Sequence, residues 1–180
     1  MYPKILSAAC TLGLLALTGA SVAQSPPIER SFSFLGFPTK ILVSGADTAG
    51  ASALLDVLVP SGAGPPAHIH SREDEVYFIK SGTFQFLMDG VCLQAGPGTS
   101  VYMPKGHFHT FKNISKHGGE QLMFVYPAGI EQLFWEIHQL DLTVPRDFQK
   151  LSELAGKYGM KLVPDHDFQA GTCTIVKALK

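Results

Sequence analysis

The chain alternates between short apolar runs and clusters of glycine, proline and small polar residues. From about residue 41 the runs have strand length: ILVSG, ASALLDVLVP, EVYFIKSGTFQFLMDG, VCLQAGPG, TSVYMP, HTFKN and QLMFVYP. Most are bounded by residues that favour turns. In EVYFIKSGTFQFLMDG two β-rich runs flank Lys80-Ser81-Gly82, which predicts a hairpin. Phe84, Phe86 and Met88 alternate with Gln85 and Leu87 and share one face of their strand. Several short strands with regular turns predict an all-β sandwich or barrel, with a core over about 41–127.

Two segments break this pattern. Residues 24–40 form a Pro- and Phe-rich lead-in without helical period. Beyond Gly129, IEQLFWEIHQL lacks alternation, and DFQKLSELAGKYGM sets Leu151, Leu154, Ala155 and Tyr158 at helical spacing. Asp147 can cap this second helix, and Gly159 suits the left-handed position past its end. Short helices are therefore expected over about 129–160, outside the barrel or across one mouth. Phe134, Trp135 and Leu151 are expected as core contacts.

The first residues read differently again. Lys4 precedes an uncharged apolar run that ends before Ser21-Val22-Ala23, a small-residue processing site. The run is shorter than the ~20 residues a spanning helix needs. This predicts a signal peptide over 1–23 and a single mature domain over 24–180, secreted or periplasmic and free of the membrane after cleavage. Cys92 and Cys173 then remain. One disulfide is permitted, and so is a buried, unpaired Cys92.

Apolar residues make up 46% and charged residues 16% of the sequence, an ordinary globular balance, and the net charge is -1. That charge excludes the basic surface that nucleic acid or an anionic membrane would require.

Candidate chemistry concentrates in two stretches. His68 and His70 are two apart and point the same way on an extended strand. Glu75 opens the next run, sharing a face with Tyr77 and Ile79. If those two strands are neighbours, two imidazoles and a carboxylate converge. Pro104-Lys105-Gly106 makes a turn, and His107 and His109 follow, so an adjacent strand can add a histidine. Three imidazoles and a carboxylate suit one divalent transition metal: Fe, Mn, Ni or Cu, with Zn also accommodated. Glu73 and Asp74 read as acids of a solvated loop, with a place behind the ligands or on the rim of the site as the alternative. Asn113-Ile114-Ser115 is a glycosylation sequon. Glu136 and His138 fall on different faces of a helix and are not ligand candidates.

The intervals among Gly62, His68, His70, Glu75 and Gly82, and among Gly98, Pro104, Gly106, His109 and Asn113, resemble the two motifs of the cupins. The resemblance implies a cupin jelly-roll β-barrel with short C-terminal helices. It implies metal ligation by His68, His70, Glu75 and His109, with His107 on a variable position at a turn or rim. PPAHIHSREDEVYFIKSGTFQF, PAGIEQLFWE and KYGM further resemble single-domain cupins described as quercetin 2,3-dioxygenase-like. That likeness implies a metal-dependent dioxygenase acting on a flavonol or related phenolic compound, with dioxygen as co-substrate and Glu75 as the base for the phenol proton. The usual flavonol dioxygenases carry two cupin domains.

Tyr77, Phe84, Phe86, Met88 and Phe111 are the candidate pocket lining. An aromatic wall without arginine suits a planar small molecule better than oxalate or a sugar phosphate. The same residues are also what a small barrel packs inside itself. The alternatives are a metal-holding binding or structural module, or an oxalate-degrading or isomerase-type cupin. The resemblance also admits a homodimer through an edge strand, with 28–45 as the candidate edge.

Overall fold

The computed structural model describes residues 29–164 and 173–177; the expected signal peptide over 1–23 lies outside them. In chain order the elements are β1 (Ser31–Phe34), β2 (Phe37–Val43), β3 (Ala53–Val59), β4 (His68–His70), β5 (Asp74–Ser81), β6 (Phe84–Met88) and β7 (Val91–Ala95). They continue with β8 (Ser100–Met103), β9 (Phe108–Asn113), β10 (Gly119–Tyr126), α1 (Ile130–Gln139), α2 (Phe148–Lys157), β11 (Met160–Leu162) and β12 (Thr174–Ile175). The strands form two six-stranded sheets, ordered β1-β2-β3-β10-β5-β8 and β11-β4-β9-β6-β7-β12. This is an all-β jelly roll with two short helices. Among the described residues no helix is long and apolar enough to cross a membrane.

Period-two patterning builds both sheets. β2 buries Phe37, Thr39 and Ile41 while exposing Pro38, Lys40 and Leu42. β10 buries Gln121, Met123 and Val125 on one face only. The inward residues meet between the sheets, where Phe86 lies 5.7 Å from Phe111 and 5.4 Å from Tyr77, ring centre to ring centre.

The expected hairpin at Lys80-Ser81-Gly82 does not form. β5 lies between β10 and β8 in the first sheet, whereas β6 lies between β9 and β7 in the second. Gly82 turns the corner between the sheets at φ +86°, where an added Cβ would sit 2.8 Å from the Gly119 Cα. Alternation and turn residues look alike whether a chain doubles back or crosses to the facing sheet.

The strands also start earlier than residue 41. Phe32, Phe34 and Phe37 turn inward from β1 and β2, which pair around Leu35-Gly36. Phe34 stacks on Phe134 at 4.1 Å and Phe32 meets Trp135 edge-on at 5.4 Å, so α1 is fastened to this lead-in. After α2, Gly159 takes φ +78° and β11 returns to pair with β4. Three residues are too few to show a period, so β11 has no sequence signal.

Cys92 and Cys173 form a disulfide, Cα to Cα 4.5 Å, beside the parallel pairing of β12 with β7.

Candidate metal centre

The two motifs meet at one point, with ligands contributed from both sheets. β4 points His68 and His70 inward and Ile69 away. β9 lies beside it in register, with His109 opposite His68. Glu75 comes from β5 in the facing sheet, so it approaches across the sandwich and not from a neighbouring strand as the sequence suggested. The ligand atoms of His68, His70, Glu75 and His109 all lie within 4.8 Å of one another, and all four residues are buried.

The outer nitrogen of each ring is tied down. His68 Nδ1 donates to the Pro66 carbonyl at 2.7 Å, and His109 Nδ1 to the His107 carbonyl at 3.0 Å. His70 Nδ1 donates to Glu73 Oε2 at 3.3 Å. Those acceptors hold the Nδ1 side of each ring, so each Nε2 is turned toward the centre. Glu75 supplies the fourth donor: its Oε2 is 3.1 Å from His109 Nε2, and its Oε1 is 3.3 Å from His70 Nε2. This last pair approaches without hydrogen-bond geometry. His70 Nε2 and Glu75 Oε1 are both buried and without a hydrogen-bond partner.

Unpartnered buried acceptors aimed at one spot are costly unless a cation joins them. Bonds of roughly 2.0–2.2 Å from nitrogen or oxygen set ligand atoms on the order of 3–4.4 Å apart around a first-row ion. The four side chains fit such an ion.

Electrostatics distinguish the three rings. Burial, followed by the charges of His109 and His70, pushes His68 down to about 3. Burial also opposes charge on His70, but the Glu75 carboxylate and the Glu73 hydrogen bond outweigh it and raise that ring to about 9. Burial likewise works against a charged Glu75, yet His70 and His109 hold the carboxyl well below its usual range. Tyr77 donates its hydroxyl to Glu75 Oε2 at 2.8 Å. Burial and that carboxylate keep the phenol protonated far above the usual tyrosine range.

For Glu73 the structure favours the alternative over the solvated loop. The residue is 3% exposed and orients a ligand ring. Asp74 instead accepts the Lys105 backbone N–H at 2.8 Å and ties the second motif's turn to β5. His107 lies exposed on the rim, its Nδ1 2.5 Å from Asp89 Oδ2. Asn113 is fully buried: its amide donates to the Val59 carbonyl at 2.7 Å and accepts from Ser115 N–H at 2.9 Å. The sequon asparagine is thus a structural residue of the fold.

A cavity of about 50 Å³ adjoins the centre, between the sheets and under α1 and α2. His68, Glu75, Tyr77, Phe111 and Gln121 line it together with Leu133 of α1. Of the expected pocket residues, Tyr77 and Phe111 face this space. Phe84, Phe86 and Met88 do not: Phe84 and Phe86 pack in the core, and Met88 is only partly buried against it. Alternation assigns a strand face but not the depth along the barrel at which a cavity opens.

Residues 55–126 match the Cupin domain family. The matched span, 55–126, is a cupin domain, and it contains His68, His70, Glu75 and His109. The curated dimethylsulfoniopropionate (DMSP) lyase DddQ of Ruegeria pomeroyi is 39% identical over 61 residues, 33% of this chain. The match spans only 30% of that lyase's length. Among solved structures, KdgF from Halomonas sp. gives a TM-score of 0.49 at 18% identity, covering 54% of this chain and 84% of that one. A protein described as a predicted oxalate decarboxylase from Thermotoga maritima gives 0.48 at 21%, covering 51% and 80%.

Proposed function

We propose that this protein is an exported, metal-dependent dioxygenase acting on a phenolic compound. The buried, pre-oriented set of His68, His70, His109 and Glu75 carries the reading. His68, His70, Glu75 and His109 would hold an Fe, Mn, Ni or Cu ion, which would supply Lewis acidity and one-electron chemistry. Glu75, held at Oε2 by the Tyr77 hydroxyl, is the residue assigned to take the phenol proton. Tyr77 stays protonated and holds that carboxylate in place. Phe111, Leu133 and the other apolar walls exclude water, and no arginine or lysine lines the space. This disfavours oxalate and favours an aromatic ligand. The enclosed volume takes only a few waters, so a ring-bearing ligand enters when the helical cover of α1 and α2 shifts. Both atoms of dioxygen pass to the organic substrate, which supplies the electrons, so no external reductant is consumed. The expected leader and the Cys92–Cys173 bond support export, since structural disulfides persist in oxidising compartments.

A second reading is an oxygen-independent lyase. It rests on the 39% identity to the DMSP lyase DddQ over 61 residues. The faces of Tyr77 and Phe111 can also receive a sulfonium cation.

Oxygen uptake by the Fe-, Mn-, Ni- or Cu-loaded protein tests the first reading, with a flavonol, a single-ring phenol, oxalate and DMSP as substrates. Uptake with a phenolic compound and none with oxalate is expected. DMSP consumption without oxygen uptake replaces the first reading with the second. A Glu75→Gln protein that retains both metal and full rate removes Glu75 as the base.

A further inference from the structure

The cavity beside the metal centre is polar at two separate places. Its polar lining side chains are His68, Glu75, Tyr77 and Gln121. The first three form one group: His68 and Glu75 are candidate ligands, and the Tyr77 hydroxyl donates to Glu75 Oε2 at 2.8 Å. Two proline carbonyls at the wall are already engaged, Pro65 by the Thr110 hydroxyl and Pro66 by His68 Nδ1. Gln121 stands apart from that group. It is buried, and its side-chain oxygen has no hydrogen-bond partner.

Strand register measures the separation. Between β5 and β10, Glu75 pairs with Val125, Tyr77 with Met123 and Ile79 with Gln121. The level of Gln121 is therefore four residues along the sheet from the level of Glu75. At the rise of an extended strand that is about 13 Å. The stretch between is apolar. Met123 lines it from β10, and Phe111 lines it from the facing sheet, its ring 5.4 Å from that of Tyr77. Val57 of β3 stands beside Gln121 and offers it no donor.

We propose that Gln121 selects a substrate long enough to span the cavity, held at the metal centre by one end and donating a hydrogen bond to the Gln121 side-chain oxygen from the other. This rests on the reading that a phenolic compound binds at the centre, and it names the class: two linked rings with an apolar middle and a hydroxyl at the far end. A single ring anchored at the centre stops short of Gln121. A sugar would press its hydroxyls against Met123 and Phe111, where nothing accepts them. A carboxylate at the far end would face an amide oxygen with no cation beside it. A hydroxyl is the donor that an amide oxygen takes. A buried acceptor also discriminates against the analogue that lacks the donor, because it then stays unpaired. Admission of such a molecule requires the same shift of α1 and α2 as any ring-bearing ligand.

Calorimetric binding to the Zn-loaded protein tests this, since zinc has no redox chemistry and binding is read without turnover. The probes are a biphenyl with a hydroxyl at each end, the same biphenyl with one hydroxyl, hydroquinone and phenol. The wild type is expected to bind the doubly hydroxylated biphenyl at least about tenfold more tightly than the singly hydroxylated one, as one hydrogen bond to a buried acceptor provides. The short pair, hydroquinone and phenol, is expected to show no such gain. In Gln121→Met the biphenyl difference is expected to disappear with metal stoichiometry unchanged, and the wild-type comparison decides the matter even if that variant fails to fold. Equal binding of the two biphenyls to the wild type overturns the proposal. So does a gain that Gln121→Met retains or that hydroquinone shares. Binding of none of the four removes the phenolic reading of the centre and this proposal with it, whereas binding without the far-end gain removes this proposal alone.

Discussion

Glu73 accepts a hydrogen bond from Nδ1 of His70 at 3.3 Å, and both side chains are buried. The carboxylate fixes the ring's orientation and makes its Nε2 a stronger donor to a cation. Glu73→Gln keeps an acceptor in place but removes the charge, and Glu73→Ala removes both. Metal affinity is expected to fall about 10-fold in the first variant and about 100-fold in the second, within the range for lost outer-shell partners. Competition against a chromogenic chelator measures this. Unchanged affinity in Glu73→Ala would mean that His70 holds its orientation alone.

The same pair sets the pH dependence of metal binding. His70 is raised to about 9, so near pH 7 its ring carries a proton that an incoming ion must displace. Affinity is therefore expected to rise roughly tenfold per pH unit between 7 and 9 and then flatten. Calorimetry in buffers of different ionisation enthalpy should find about one proton released per ion at pH 7.5. The metal-free protein behaves oppositely. A raised folded-state value means that His70's contribution to stability is complete below about 6.5 and is lost as pH rises through 9. His68, depressed to about 3, contributes above 6.5 and loses that contribution as pH falls toward 3. An affinity that is flat from pH 7 to 9 contradicts the assignment for His70.

The contrast between Glu73 and Glu75 shows what the sequence carries and what it does not. Glu75 was legible because spacing to His68 and His70 is local, and one strand period decides which way a side chain points. Glu73 sits in a loop without a period. What buries it comes from far along the chain: its Oε1 lies 3.9 Å from where a Cβ on Gly129 would stand, at the start of α1. The jelly roll was legible from many short strands and from the two motifs. The partners of β5 and β6 were not, because alternation records a buried face and not the sheet that supplies it. Tyr77 and Phe86 illustrate the same limit. Both are inward and aromatic, yet only Tyr77 reaches the cavity, since α1 and α2 decide where empty space remains.

The Cys92–Cys173 bond spans 81 residues of sequence and fastens β12 against β7. Chain entropy for a loop of that length amounts to about 4–5 kcal/mol, and measured native disulfides generally give about 2–5 kcal/mol. The double variant Cys92→Ala, Cys173→Ala is expected to lose stability within that measured range in urea unfolding. β7 is separated from β4 by β9 and β6, so the metal centre lies away from the bond. Metal stoichiometry should therefore survive. Loss of metal together with stability would place the disulfide in the support of the centre itself.

Gln121 is 1% exposed, and its side-chain oxygen has no hydrogen-bond partner. It projects inward from β10, opposite Val57 on one side and Ile79 on the other, into the cavity that His68 and Glu75 also line. An unpartnered buried amide costs about 1–3 kcal/mol, and an apolar side chain of similar length removes that cost. Gln121→Met is therefore expected to raise the urea midpoint of the metal-free protein by a stability gain of about 1 kcal/mol. The same change should weaken a hydroxyl-bearing phenol more than its methyl ether, because only the phenol can donate to the amide oxygen. The two readouts separate structure from recognition. A lower midpoint in Gln121→Met would mean that an internal water already satisfies the amide in the free protein. Equal loss of both ligands would mean that Gln121 shapes the cavity without bonding to its contents.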